Sequence, residues 1–440
     1  MWSRWAWLGV ASLLGAGSVW SQDAPPLADC IAALRKELPL HPKVRAEVFD
    51  RHTADARDLR SLIEKAGQAQ PEFQLPIWDY LARRIDAERI SQGRELMARE
   101  AGALEDSARR HGVDPATTVA VFGVETDYGR VAGAHPVVDA TLSRACLNLG
   151  SAERKRNFFA ALWLLQEGHV RQDEFRGSWA GAFGMTQFMP ATFLQYMSDA
   201  EGGPVADVFH SVPDALATTA RYLRGLGWSD RLPWGIEVAV PAPLVGGHAP
   251  EGEHACLAKR KPEGKCRSLS QWAAAGVTRV DGSALLGAGL TGSVSGTLPA
   301  ALLIPAGPRG PAWLLTSNYQ AVWRYNRADA YALAIGLLSD RLGGAPAQRA
   351  PWPTDDPGLS RAEFKELQAL LVQRGRCEIR VDGAEGPMTS AAIRDEELRL
   401  GWPQSGRAGA RLLARLRLDA ATPTACREAA SVATPVDGPR

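Results

Sequence analysis

The chain has 440 residues, enough for two or three domains, and its 45% hydrophobic and 22% charged residues describe a folded protein rather than a disordered one. With 50 Lys and Arg against 49 Asp and Glu, the formal net charge is +1, which excludes a general electrostatic grip on nucleic acid or anionic lipid. Any polymer this protein holds must be held by local sites.

Residues 1–21 open with Arg4, continue as an apolar run shorter than a comfortable bilayer span, and end with Val19 and Ser21 at the small-residue positions of a cleavage site. They read as a signal peptide, with a retained anchor as the alternative, so a soluble periplasmic protein is expected. Export makes the six cysteines candidates for three disulfides. Proximity pairs Cys256 with Cys266 and Cys377 with Cys426, leaving Cys30 and Cys146 for each other. Buried free thiols are the alternative.

From Leu27 to about Ser198 apolar residues recur at helical spacing, as in "FQLPIWDYLARRI" and "KRNFFAALWLLQEGHV". In "GVDPATTVAVFGVETDYG", Asp114 and Pro115 start a helix and Gly129 is its natural stop. Glu125 then lies in the last turn, where the negative end of the helix dipole and neighbours such as Val121, Phe122 and Val124 disfavour a carboxylate. A raised pKa suits a general acid; an ordinary buried, hydrogen-bonded acid is the structural alternative. Asp127, two residues on, points to another side of the helix and cannot act on the same bond.

The stretch "RGSWAGAFGMTQFMPATFLQY", residues 176–196, leaves backbone exposed between small residues and sets Ser178 and Gln187 beside Trp179, Phe183, Phe188 and Met189. Amides and rings in that mixture suit a sugar subsite, although glycine-mediated helix packing is the plainer reading. Between Gly235 and Trp313 short β-prone runs predict a small sheet or hairpin insertion, and helical spacing returns in "NRADAYALAIGLLSDRL". The Pro- and Gly-rich residues 343–357 read as a linker, 358–426 as a compact C-terminal unit, and 427–440 as a tail. The "GAGLTG" at 287–292 precedes no helix, the histidines show no zinc spacing, and no Ser lies in a nucleophile elbow. Neither a cofactor nor a metal is expected.

Taken together, "GVETDYGR", "GSWAGAFGMTQFMPATF", "SVPDALATTARYLRGLGW" and "RYNRADAYALAIGLLSDRL", with "FQLPIWDYLARRIDAERISQGRELM" before them, closely resemble the family B lytic murein transglycosylases over residues 27–342. The resemblance implies a mainly α, α+β chain with a lysozyme-like helical catalytic domain over 22–342 and a small β insertion. It implies cleavage of the bond between N-acetylmuramic acid and N-acetylglucosamine without water, giving a 1,6-anhydro sugar. Glu125 matches the family's single acid/base, Ser178 and Gln187 its polar cleft groups, and Tyr222 its cleft tyrosine. Tyr325, Asn326 and Tyr331 resemble the residues of the opposite wall, and Arg154 and Lys155 a basic pair near the muramyl peptide. Plain helix core for the tyrosines and a solvated charge run for the basic pair are the alternatives.

Some members carry a calcium loop after this region. In "SDAEGGPVADVFHS", Asp199, Glu201 and Asp207 remain as oxygens, but Gly203, Pro204 and His210 replace family positions, so no calcium site is expected. "ELQALLVQRG" followed by "VDGAEGPMTSAAI" resembles the three-helix peptidoglycan-binding domain, with Asp382, Gly383, Gly386, Pro387 and Thr389 in its loop. There "RDEEL" replaces the usual aromatic-glutamine pair, which puts the binding groove in doubt. The expected partner is the glycan strand of peptidoglycan, bound by a monomer tethered through its linker. Assembly with other cell-wall enzymes is a further expectation, and nucleic acid is not a partner. A lysozyme-type hydrolase and a non-catalytic wall-binding scaffold are the rival readings.

Overall fold

The computed structural model describes residues 25–68, 70–247, 255–287 and 294–419. The expected signal peptide, the tail, Cys426 and most of the 287–292 glycine motif lie outside these residues.

Among the described residues the protein is helix-rich, with a two-stranded pairing of His135–Pro136 and Arg176–Gly177 and one five-stranded sheet. At its centre the Pro115–Thr126 helix is buried on nearly every side, because Val119, Ala120, Val121 and Phe122 leave it no polar face. The largely buried Asp329–Leu342 helix packs along it. Asp114 caps the central helix, its Oδ2 accepting from the Thr117 amide at 2.9 Å. Asp114→Ala is expected to cost about 1 kcal/mol, read as a lower urea midpoint with an unchanged slope.

A second core forms where the Val137–Leu147 and Ala152–Gln166 helices bring Phe158 and Phe159 against Phe49, with Phe183 and Phe193 from the following loop and helix. The Cys30–Cys146 disulfide fastens the Leu27–Lys36 helix to this lobe across 116 residues. Cys256 and Cys266 are also joined; the pairing expected for Cys377 depends on Cys426, outside the described residues.

The insertion is a five-stranded antiparallel sheet in the order Cys266–Ser268, Pro299–Leu303, Ala312–Leu315, Gly235–Ala239, Thr278–Arg279. Its central strands are apolar on both faces. Ala301, Leu303, Trp313 and Leu315 face the helical core, while Ala300, Leu302 and Leu314 face a satellite core with Leu269 and Trp272. Burial on both sides explains runs without polar alternation.

The C-terminal unit folds as three helices, Arg361–Gln373, Pro387–Arg399 and Ala410–Leu418, around Phe364, Leu367, Leu371, Ile393 and Leu413. Ser360 and Glu363 form a capping box at its first helix. In "RDEEL", Glu396 and Glu397 are buried; Glu396 is bonded to Arg399 at 2.8 Å, and Glu397 accepts from the Gly406 amide at 2.8 Å. They are structural groups.

The segment from 343 to 359 is not a free tether. The Arg349 and Ala350 amides donate to Glu237, and Trp352 packs between Trp78 and Trp313. The C-terminal unit itself docks on the helical lobe. Arg407 forks onto the buried Asp79 at 2.7 and 2.8 Å, Arg83 pairs with Glu385 at 2.7 Å, and the Arg83 guanidinium lies 4.5 Å from the Phe364 ring centroid.

Candidate active site

Glu125 lies in the last turn of the central helix, at the floor of a groove of about 990 Å³ between the two lobes. Its neighbours on the other side are set by the Asp329–Leu342 helix, which presents the Tyr331 hydroxyl. That hydroxyl donates to Glu125 Oε1 at 2.6 Å. Burial pushes the Glu125 carboxyl up to about 7, against the opposing pull of the Tyr331 hydrogen bond and of Arg84, and with a further upward push from Glu72. Tyr331 is held well above its ordinary range, first by burial and then by Glu125, so it remains a hydrogen-bond donor.

The helix does not run on to Gly129. It stops at Thr126, and the chain reverses through Asp127 and Tyr128, both left-handed with φ of 54° and 57°. Tyr128 folds back beneath the helix, where only glycine fits: a Cβ on Gly123 would come within 2.7 Å of its ring. Thr126 Oγ1 donates to the Met185 carbonyl at 2.5 Å and accepts from the Gly129 amide at 3.1 Å, tying the reversal to the 176–189 loop.

That loop forms one wall. Ser178 lines the groove, with its Oγ accepting from the Ala180 and Ala182 amides at 3.3 and 3.1 Å. Gln187 also lines it in a left-handed conformation, its Nε2 donating to the Gly184 carbonyl at 2.9 Å. Trp179 and Met189 stand beside them. The opposite wall carries Tyr222 and Tyr325, with ring centroids 5.0 Å apart, and Asn326. The Tyr325 hydroxyl donates to the Thr186 carbonyl at 2.7 Å, and Asn326 Nδ2 donates to Glu72 at 3.3 Å.

Three of the residues singled out from sequence sit elsewhere than expected. Tyr331 is not a wall residue: it is 1% exposed and lies behind Glu125, stacked on Tyr325. Arg154 and Lys155 are turned out of the groove, Arg154 donating to the Arg144 carbonyl and Lys155 pairing with Glu37 at 2.7 Å. Arg156 and Asn157 occupy the groove-facing positions of that helix, joined by Arg144 from the preceding one. Helical phase decides this, because Glu153, Arg156 and Asn157 share a face from which positions 154 and 155 are excluded. Sequence reading also missed Glu72 and Tyr80; Tyr80 lies near Glu125 and, largely through burial, is pushed up to about 12. A one-turn helix, Pro71–Gln74, and one aromatic among many gave no local signal of either.

Among the described residues no group of three His, Cys, Asp or Glu gathers as a metal site. The "SDAEGGPVADVFHS" carboxylates serve the loop itself: Asp199 Oδ1 accepts from the Glu201 and Gly203 amides, both at 2.8 Å, and Asp207 from those of Phe209 and His210. No helix among the described residues is long and apolar enough to cross a membrane.

Residues 27–340 match the model of the transglycosylase SLT domain, and residues 360–416 that of the putative peptidoglycan binding domain. The membrane-bound lytic murein transglycosylase B of Escherichia coli K12 is 30% identical over 274 residues, covering 61% of this chain and 68% of that protein. The crystal structure of SltB3 from Pseudomonas aeruginosa in complex with NAG-NAM-pentapeptide is 37% identical, covers 89% of this chain and 99% of its own, and superposes with a TM-score of 0.63. The same protein in complex with NAG-anhNAM-pentapeptide gives 0.62 at the same identity and coverage.

Proposed function

This chain belongs to the transglycosylase SLT-domain family, and from that premise we propose that it is an exported lytic murein transglycosylase whose single acid/base is Glu125. It cleaves the N-acetylmuramic acid to N-acetylglucosamine bond of peptidoglycan and leaves a 1,6-anhydro end. Domains follow the same reading: a catalytic unit to 342, a connecting segment over 343–357, and a wall-binding unit from 358.

The observation that carries the proposal is a buried carboxylic acid whose pKa is pushed up to about 7, at the floor of a sugar-sized groove and bonded to a tyrosine that cannot take its proton. Because the Tyr331 hydroxyl donates to Oε1, Oε1 acts as the carbonyl oxygen and Oε2 carries the proton. Oε2 protonates the glycosidic oxygen as the bond to the anomeric carbon breaks, and N-acetylglucosamine leaves. The resulting carboxylate, stabilised by Tyr331, accepts the proton of the muramic acid 6-hydroxyl as that oxygen closes on the anomeric carbon. Glu125 is restored, and no water is consumed. Ser178, Gln187 and Asn326 offer polar groups to the sugars, and Trp179, Tyr222 and Tyr325 offer ring surface. Arg144 and Arg156 supply the positive charge for acidic stem peptides that sequence reading gave to Arg154 and Lys155.

Mass spectrometry of products from purified murein is the test. Ends one water lighter than reducing ends are expected as the dominant species. Glu72 gives the hydrolytic reading one specific support, since it is a second carboxylate in the groove and could activate a water in a two-carboxylate scheme. Predominantly reducing ends would establish that alternative instead.

A further inference from the structure

We propose that Arg361, the first residue of the wall-binding domain's leading helix, is a positioning residue for Glu125, so that the docked domain completes the catalytic turn; this rests on the reading of Glu125 as the acid. The turn after Glu125 needs outside support. Asp127 and Tyr128 are consecutive non-glycine residues with φ of 54° and 57°, a conformation that L side chains rarely adopt and that persists only where the surroundings impose it.

Those surroundings are a set of arginines. The Asp127 carboxylate meets Arg89 at 3.2 Å, Arg130 at 3.1 Å and Arg361 at 2.5 Å. The Tyr128 hydroxyl donates to the Arg89 carbonyl at 2.9 Å. Arg361 alone comes from the other domain, and it does more than touch Asp127. It also forks onto Asp86 at 2.7 and 3.2 Å, and Asp86 is the N-cap of the Ala87–Arg99 helix that carries Arg89. One planar guanidinium therefore joins the cap that ends the Glu125 helix to the cap that begins its neighbour, a geometry that an ammonium cannot reproduce.

The pair is shielded, with side-chain exposures of 17% for Arg361 and 14% for Asp127, so solvent screening leaves it in force. Burial alone would raise the Asp127 carboxyl, but Arg89, Arg361 and Arg130 hold it below its ordinary range, and it stays charged whenever the enzyme works. Glu125, Asp127 and Arg361 line one further cavity of about 500 Å³ on the wall-binding side of the groove. Domain docking by itself does not require this arrangement: Arg407 fastens the two domains through Asp79 without reaching the turn.

The experiment uses the full chain and measures kcat, KM and pelleting with sacculi. Arg361→Ala is expected to lower kcat about tenfold, with KM and pelleting unchanged; Arg361→Lys, restoring the charge but not the fork, recovers part of it. Arg407→Ala loosens the same interface and is expected to cost clearly less. Thermal unfolding identifies any variant that fails to fold, in which case the Lys variant carries the comparison. The proposal is overturned if Arg361→Ala costs no more kcat than Arg407→Ala, or if its whole effect lies in KM. A wild-type chain without turnover removes both the functional reading and this proposal, whereas an active wild type with an indifferent Arg361 removes this one alone.

Discussion

Glu125→Gln is expected to lower murein turnover by roughly 10³-fold, the scale of a lost general acid/base, while pelleting with sacculi is retained. Gln keeps the size of the side chain and the oxygen that accepts from Tyr331, so the groove is expected to keep its shape. It has no proton to give to a leaving oxygen and no carboxylate to take one from the 6-hydroxyl, so both halves of the reaction fail together. Stability separates this from damage to the fold. The folded pKa of Glu125, about 7, exceeds its ordinary value of 4.5, so the folded state binds the proton more tightly. Its stability therefore falls as pH climbs through that interval, and Gln has no proton to lose. At pH 8 the variant should unfold no earlier than wild type. Turnover within a few-fold of wild type would place the acid elsewhere, and an inactive wild type that still pellets would support the scaffold reading.

How much of this was legible from residues alone follows from the range of the interactions concerned. Glu125 announced itself because an acid among apolar neighbours near the end of a well-capped helix is a local feature. The groove loop did likewise, through small residues interleaved with rings. Tyr331 was recognisable as a relevant residue but not as the partner of Glu125, because the two are 206 positions apart and meet only through packing of two apolar helices. The choice of Arg156 over Arg154 and Lys155 is a matter of helical phase, and a basic run offers every phase at once. The reversal at Asp127 instead of Gly129 was hidden for a related reason. Glycine is the natural reversal, but three arginines overrode that preference, and two of them are distant in sequence.

The docking of the C-terminal unit shows the same limit more sharply. Pro- and Gly-rich composition at 343–357 reads as a linker, but composition says nothing of what irregular backbone packs against. Here it is held by Glu237 and by tryptophans from two other elements. The domain's ion pairs join residues 275 and 328 positions apart, each an Arg and an Asp indistinguishable in the sequence from any solvated charge. A tether was the natural expectation, and a fixed wall beside the turn after Glu125 is what the side chains build.

That wall leaves the reaction's pH dependence to the groups around Glu125, and their signs can be worked out. The first step needs the protonated acid, so kcat/KM is expected to fall about tenfold for each pH unit above 7, or roughly 100-fold by pH 9. Burial sets most of this limb, while Tyr331 and Arg84 pull it down by favouring the charged form and Glu72 pushes it up. Tyr331→Phe removes a donor to the carboxylate, so the limb moves to higher pH even as the maximal rate falls, because the carboxylate of the second step has lost its support. Glu72→Gln keeps an oxygen for Asn326 but removes a negative neighbour, so the limb moves the other way. Opposite displacements from two conservative changes on one acid are difficult to obtain from general loosening of the groove, which would shift both variants alike. A limb far from 7 in wild type, or displacements of the same sign in both variants, would mean that the group titrating in the rate is not Glu125.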